Sequence, residues 1–312
     1  MTVANFSALA IVTSAVLYLV AMLCHAAEWA FARGTVRQAE PAQVGGAGGV
    51  AVLDHDPEAP AASDRTEMYS RTGVALTLVA FGSHLAGVVA RGIAAGRMPW
   101  GNMYEFVTAA SLAVVALYLT GVSRSSLRWL GLPVTLVAAV LNGLAATVFY
   151  VAVGPLVPAL HSVWFIIHIL AAITGGAAFN VGGLAAILYL VKSRAERRGA
   201  VSGYLAKLPS VDAMDRTSYR FNAFAFPVWT FTIAAGAIWA EYAWGRYWGW
   251  DPKETWSLVT WVLYAGYLHA RATAGWRGHR AAWLSVLGLA LFWFNFIGVN
   301  LLVSGLHSYA GI

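Results

Sequence analysis

The fifteen residues from Tyr242 to Trp256 hold four tryptophans, Trp244, Trp248, Trp250 and Trp256, and two tyrosines, Tyr242 and Tyr247. Membrane-anchoring aromatics scatter singly around helix ends. Here the rings share one loop, in which Gly245 and Gly249 let the backbone turn tightly and approach a ligand. Such a loop predicts a flat, polarisable, apolar platform edged by indole N–H donors, suited to a large planar ligand that carries carboxylates. Arg246 and Lys253 are the cations best placed to meet those carboxylates. Asp251, Pro252 and Glu254 have the spacing of a helix N-cap, a first helical position and a capping box. That run is therefore expected to start a helix rather than perform acid/base chemistry.

The elements that must position this loop are apolar. The 312-residue chain is 59% hydrophobic and 11% charged, against about 25% charged in a soluble domain. Charge-free stretches run Thr2 to Ala27, Thr72 to Ala90, Phe106 to Ser123, Trp129 to Val191, Phe221 to Ala240, Thr255 to Ala270, and from Ala281 onward. Each is a span or nearly one, because roughly 20 helical residues cross a 30 Å hydrocarbon core. Trp129 to Val191 is long enough for two, with Gly154 to Pro158 as the turn between them. The fold class is therefore an all-α polytopic bundle of about eight membrane helices, at about 5–31, 71–92, 102–122, 128–150, 160–191, 220–243, 255–271 and 280–303.

Those spans divide the 20 Lys and Arg residues into 16 on one set of alternating loops and four (Arg91, Arg97, Arg246 and Lys253) on the other. The positive-inside rule makes the larger set cytoplasmic and both termini non-cytoplasmic. The net charge of +6 is thus topological and implies no nucleic-acid partner. The first apolar stretch lacks a basic n-region and a clear cleavage site, so it is expected to be a retained span, residues 1–33. Residues 34–70, rich in Gly, Ala and Pro, read as a disordered cytoplasmic loop. Residues 71–312 form the main membrane domain. Tyr204 to Pro209, in a basic loop, reads as an interfacial segment drawn to anionic lipid. Cys24 is the single cysteine, so any dithiol chemistry belongs to a partner.

Histidines inside spans are rare and more often functional than buried histidines elsewhere. His55 and His279 fall in cytoplasmic loops. His307 follows the last span, and His161 and His168 lie at the outer end of the fifth, on the same side as the tryptophan loop. With Trp164, His161 and His168 share one helical face by i, i+3, i+7 spacing. Two imidazoles from different helices beside an aromatic platform are what bis-histidine haem ligation requires. His269, His84 and His25 lie deeper or nearer the cytoplasm and allow a second, inner histidine site.

Longer stretches carry a family resemblance. Trp244 to Leu258, Tyr267 to Arg271, Gly298 to Leu302, Gly305 to Tyr309, Asn102 to Glu105 and His161 to His168 resemble the CcsA/ResC type of WWD-domain proteins, whose actinobacterial members are usually named CcsB. The resemblance covers most of the chain from about residue 70, with the WWD loop at 244–258. It implies a haem-handling subunit of the System II cytochrome c maturation machinery in a bacterial cytoplasmic membrane, with the WWD loop extracytoplasmic. Such a subunit moves haem b to the outer face and presents its vinyl groups to apocytochrome c, as part of a holocytochrome c synthase. A ResB/Ccs1-type membrane partner and a thiol-disulfide reductant protein would act with it. The resemblance favours His168 over His161, makes His168 and His307 the outer axial ligands, and makes His269 one ligand of an inner haem. The inner site's other ligand would come from the partner, or from His84 or His25. A CcmC-like haem carrier is the nearest alternative, but its motif lacks the Asp-Pro-Lys-Glu-Thr-Trp continuation. A haem-free membrane transporter or scaffold is the other.

Overall fold

A computed structural model describes residues 1–36, 58–125 and 127–307, and every regular element among them is helical. The helices are α1 (Val3–Val36), α2 (Glu58–Ala95), α3 (Met103–Ser125), α4 (Gly131–Thr147), α5 (Val163–Arg197), the single turn α6 (Tyr204–Lys207), α7 (Val211–Trp244), α8 (Pro252–Ala272), α9 (His279–Trp293) and α10 (Val299–Leu302). A π-helical turn, Phe294–Gly298, joins α9 to α10. Among the described residues seven helical segments are long and apolar enough to cross a membrane. The eighth expected span is α8. Its 21 residues reach about 31 Å, but His269, Arg271, Lys253 and Glu254 crowd its two ends and lower its apolarity.

Three expectations change. The segment 34–70 is not wholly irregular, because α2 begins at Glu58. Pro60 falls in the helix's first turn, where it is tolerated, and no Gly or Pro follows until Gly73. Glu67 and Arg71 then add an i,i+4 ion pair at 2.7 Å. Residues 37–57 of that expected loop lie outside the described residues. The fourth span opens with a 3₁₀ turn, Leu127–Leu130, ahead of α4. Finally, Tyr204 to Pro209, expected as an interfacial segment, packs through Tyr204 and Leu208 onto the bundle end. Tyr204 is 7% exposed, stacks on Trp29 at 4.0 Å and donates its hydroxyl to the Trp129 carbonyl. The Lys192 ammonium donates to the carbonyls of Leu208 and Pro209, each at 2.8 Å.

Helices α1, α2 and α4 pack as one group, and α5, α7 and α9 as another, with α3 touching both. Outward faces such as Val12, Val16, Leu19 and Leu23 on α1 stay exposed, as lipid-facing side chains do. Between helices, close approach relies on glycine rather than hydrophobic driving force. A Cβ at Gly183 would meet Leu289, and one at Gly176 would meet Phe292. Buried polar side chains find partners across helices: Asn222 on α7 donates to Ser285 on α9 at 2.8 Å, and Trp293 donates to Asn180 at 3.1 Å.

One end of the bundle gathers the 96–102 and 148–162 connections, the tryptophan loop and the segment after α10. Glu105 holds the first two together. Its fully buried carboxylate accepts from Arg91 at 2.8 Å, from Arg97 at 2.7 Å and from the Gly101 amide at 2.7 Å. Arg91 also reaches the Val151 carbonyl at 2.8 Å. Replacing Glu105 with Ala would leave two cations at 4% and 16% exposure without their shared anion. The expected loss is about 3–5 kcal/mol, read as a lowered unfolding temperature in detergent. An unchanged melting curve would exclude Glu105 as the hub of this end.

Candidate functional site

Beneath the tryptophan loop lies a cavity whose empty space, counting its open mouth, is about 1380 Å³. It runs from Trp248 and Lys253 at the mouth down to Asn180 and Phe292 inside the bundle. Twelve residues of α5 separate His168 from Asn180, a depth of about 18 Å. The wall is mainly aromatic and aliphatic, and two histidines face it, His168 and His307.

His168 is set by helices. Its Nδ1 lies 2.9 Å from the Thr232 carbonyl on α7. A carbonyl only accepts, so Nδ1 carries the proton and Nε2 keeps the lone pair. The ring rests over Gly236, where a Cβ would come within 2.7 Å of Nδ1, and stacks on Trp239 at 5.7 Å. Trp239 is 2% exposed and is fixed in turn, because its indole donates to the Ala159 carbonyl at 2.8 Å.

His307 is set by a carboxylate. Its Nδ1 lies 2.8 Å from Asp251 Oδ1, and the neighbouring Leu306 amide donates to Asp251 Oδ2 at 2.8 Å. The imidazole meets the edge of Trp239 at 5.7 Å and of Trp244 at 5.1 Å, so one indole, Trp239, lies beside both histidines. Burial lowers the His307 pKa despite the opposing hydrogen bond from Asp251. Burial alone would raise the Asp251 carboxyl, but the bonds from His307, Leu306 and Lys253 outweigh it and hold that carboxyl below its usual range. The pair is therefore a neutral imidazole donating to a carboxylate. Asp251 meanwhile forms the expected capping box of α8, accepting from the Lys253 amide while Glu254 accepts from the Asp251 amide. The residue expected only to start a helix also aims a histidine.

The loop residues divide. Trp244, Trp248 and Lys253 line the cavity. Trp250 does not. It is 68% exposed, sits at φ 59° and meets only the edge of Trp248, at 5.8 Å. Trp256 faces Phe294 of the π turn at 4.4 Å. Arg246 turns back on its own loop, 4.0 Å from Glu254, and a Cβ at Gly249 would overlap its guanidinium. Arg246 packs over Gly249, whereas Gly245 takes the left-handed turn, φ 68°, that ends α7. Lys253 faces the cavity, and burial pushes its ammonium down to about 7 against the pull of Asp251.

The expected face of His161, Trp164 and His168 does not form. Ser162 caps α5, accepting from the Trp164 amide, so His161 precedes the helix and is exposed. The inner histidines do not converge. His84 is fully buried between α1 and α2, with Nδ1 3.3 Å from the Tyr18 hydroxyl. His25 pairs with Glu28 at 3.5 Å, and Cβ atoms at Gly73 or Gly131 would overlap its ring. His269 is exposed on α8. The cavity beneath the tryptophan loop reaches none of these three.

Trp229, Trp239, Trp293, Thr232 and Gly236 belong to the site and were not singled out by the sequence. Inside an apolar helix, a cavity wall and a lipid face have the same composition. The partial signal was the small residue at 236, four positions after a carbonyl-supplying threonine.

Acidification is expected to loosen the His307 segment. His307 binds its proton less readily folded than unfolded, and so does Asp251. Stability is therefore greatest above the unfolded pKa of each group and falls as pH drops through the folded one. Protection factors for backbone hydrogen exchange at 303–307, taken against the intrinsic rate at each pH, should fall progressively below about pH 6.5, where an unfolded histidine begins to titrate. Asp251→Asn should lower them at neutral pH as well. Protection factors independent of pH in the wild type would refute the pair as the tether.

Comparison with known proteins places this geometry. Residues 100–307 match the family model for the cytochrome c assembly protein. A cytochrome c biogenesis protein CcsA from Synechococcus sp. (strain JA-3-3Ab) is 33% identical, covering 80% of this chain and 88% of that one. The CcsA of Guillardia theta is 38% identical, over 70% and 79%, and that of Gloeobacter violaceus is 33% identical, over 80% and 89%. Among solved structures, the cytochrome c haem lyase CcmF shares the fold at a TM-score of 0.63 and 16% identity, across 95% of this chain and 47% of CcmF. The chain belongs to the cytochrome c assembly protein family, as a multi-pass membrane protein of the CcsA type.

Proposed function

We propose that the cavity holds haem b between His168 and His307, and that this chain presents it for covalent attachment to the Cys-x-x-Cys-His motif of apocytochrome c. The observation that carries the reading is the matched anchoring of two imidazoles beside one indole. Each has Nδ1 committed to an acceptor, Thr232 O or Asp251 Oδ1, which leaves Nε2 as the nitrogen able to coordinate iron. Metal-ligating histidines usually use their second ring nitrogen in this way. The cavity's depth and mainly aromatic and aliphatic walls suit a large planar ligand. The names of the relatives, which are cytochrome c biogenesis proteins and a haem lyase, support the same class of work.

The chain's contribution is positional. His168 and His307 orient the ring plane, Trp239 and Trp244 exclude water from it, burial keeps His307 neutral, and Asp251 keeps it aimed. Bound haem supplies the vinyl groups, across each of which a cysteine S–H adds to form one S–C and one C–H bond without net oxidation. Reduced thiols must therefore come from the client, kept so by a separate thiol-disulfide reductant. The charge split of 16 to four supports an extracytoplasmic loop and termini in a bacterial cytoplasmic membrane. A ResB/Ccs1-type partner completes the synthase. Any inner haem site would pair the exposed His269 with a ligand from that partner rather than with His84.

The purified protein is expected to show a bis-imidazole haem spectrum. His168→Gly and His307→Gly should each weaken it, and added imidazole should restore it. Unchanged spectra in both variants would overturn the ligand assignment. Co-expression with the partner and a reporter apocytochrome, in a host without maturation genes, should give covalent haem on the reporter. Haem bound to the chain with none attached to the reporter would make it a carrier instead.

A further inference from the structure

Both anions of the tryptophan loop take hydrogen bonds from the loop or its neighbours, although Glu254 does so through Oε2 alone and its buried Oε1 finds no hydrogen-bond partner among the described residues. Asp251 accepts from His307, the Leu306 amide and the Lys253 amide. Glu254 accepts from the Gly249 amide at 2.8 Å and the Asp251 amide at 3.1 Å, with Arg246 at 4.0 Å. Arg246 is thereby spent on Glu254 and is not part of the cavity wall. Lys253 is different. Its ammonium faces the cavity in the first turn of α8, and no carboxylate lies within 4.0 Å of it among the described residues. A half-buried cation at a largely apolar wall is stabilised by a counter-charge that reaches it from the cavity.

We infer that Lys253 is the anion-binding residue of this site, pairing with a carboxylate on the edge of the planar ligand and fixing which edge faces the mouth. The inference rests on the haem reading above and deepens it. Two imidazoles on the ring axis fix the plane but leave the ligand free to rotate about that axis. A single cation near the mouth removes that freedom, because one edge of the ring carries carboxylates and the others carry only apolar groups. The deep end of the cavity, where Ile173, Ala177 and Phe292 face it, offers the apolar edges a matching wall. Glu254, on the same wall, disfavours a carboxylate beside itself and sharpens the choice of Lys253. Lys253 is a positioning residue: it contacts the ligand's rim and takes no part in bond formation.

The test uses the full-length protein in detergent with two probes, haem and haem dimethyl ester, whose only difference is the masked carboxylates. Wild type is expected to bind haem at least about tenfold more tightly than the ester. Lys253→Gln should abolish that preference by weakening haem alone, and Lys253→Arg should restore most of it. The bis-imidazole spectrum with the ester should be the same in all three proteins, which separates loss of the pairing from loss of the fold. Equal binding of both probes by wild type, or a preference that survives Lys253→Gln, would overturn the Lys253 assignment while leaving the haem reading intact. Binding of neither probe by wild type would overturn the haem reading, and the assignment with it.

Discussion

Asp251 is where the helix, the loop and the chain's last described segment meet. One oxygen accepts from the Lys253 amide and from His307, and the other from Leu306, so a single carboxylate starts α8 and anchors residues 55 and 56 positions away in sequence. Burial makes each of these bonds stronger than it would be in water and makes their loss correspondingly costly. A shift of α8 along its axis would therefore drag His307 with it. Gly305 makes the close approach possible, since a Cβ there would lie 2.5 Å from the same carboxylate.

The rest of the site follows from a constraint on every membrane protein, that buried polar groups must find partners inside the protein. His168 takes a helix carbonyl, the Trp239 indole takes a carbonyl from the 3₁₀ turn Pro158–Leu160, and the Trp229 indole takes the Ser257 carbonyl on α8. Each bond also fixes the spacing of two elements. The walls are rigid because the groups that line them are the ones that tie the helices together. Glu105 does the same for the adjoining connections, so the cavity mouth is braced on both flanks by carboxylates that face inward.

How much of this was legible depends on the kind of signal. Spans announce themselves by length without charge, and the capping box of α8 by three residues at fixed spacing, so both were readable. His168 and His307 stood out because an imidazole in an apolar setting is rare. Arg246 and Lys253 looked equivalent in sequence, yet Arg246 lies over Gly249 and beside Glu254 on its own loop while Lys253 lines the cavity. The tryptophans looked equivalent too. Trp250 points away because its own positive φ ends the loop, while Trp239, outside the loop motif, proves to be the ring between the two histidines. His161 failed for a local reason: Ser162 caps the helix and sets its start two residues too late. Neither a turn nor a cap of that kind can be separated from a continuing helix by periodicity alone.

The two histidines are held in unlike ways, and that difference bears on how a client could reach the cavity. His168 lies inside a 35-residue helix, its ring braced by Gly236, Trp239 and the Thr232 carbonyl, all on α7. Moving it means parting α5 from α7, two long helices packed extensively on each other. His307 sits beyond the end of α10, on irregular backbone tethered through Asp251. Displacing it breaks its hydrogen bond to Asp251 and that of the Leu306 amide and leaves every long helix in place. Under the proposed function, a peptide bringing its own histidine would meet least resistance on the His307 side, with His168 keeping the ring in position until the bonds to the client have formed.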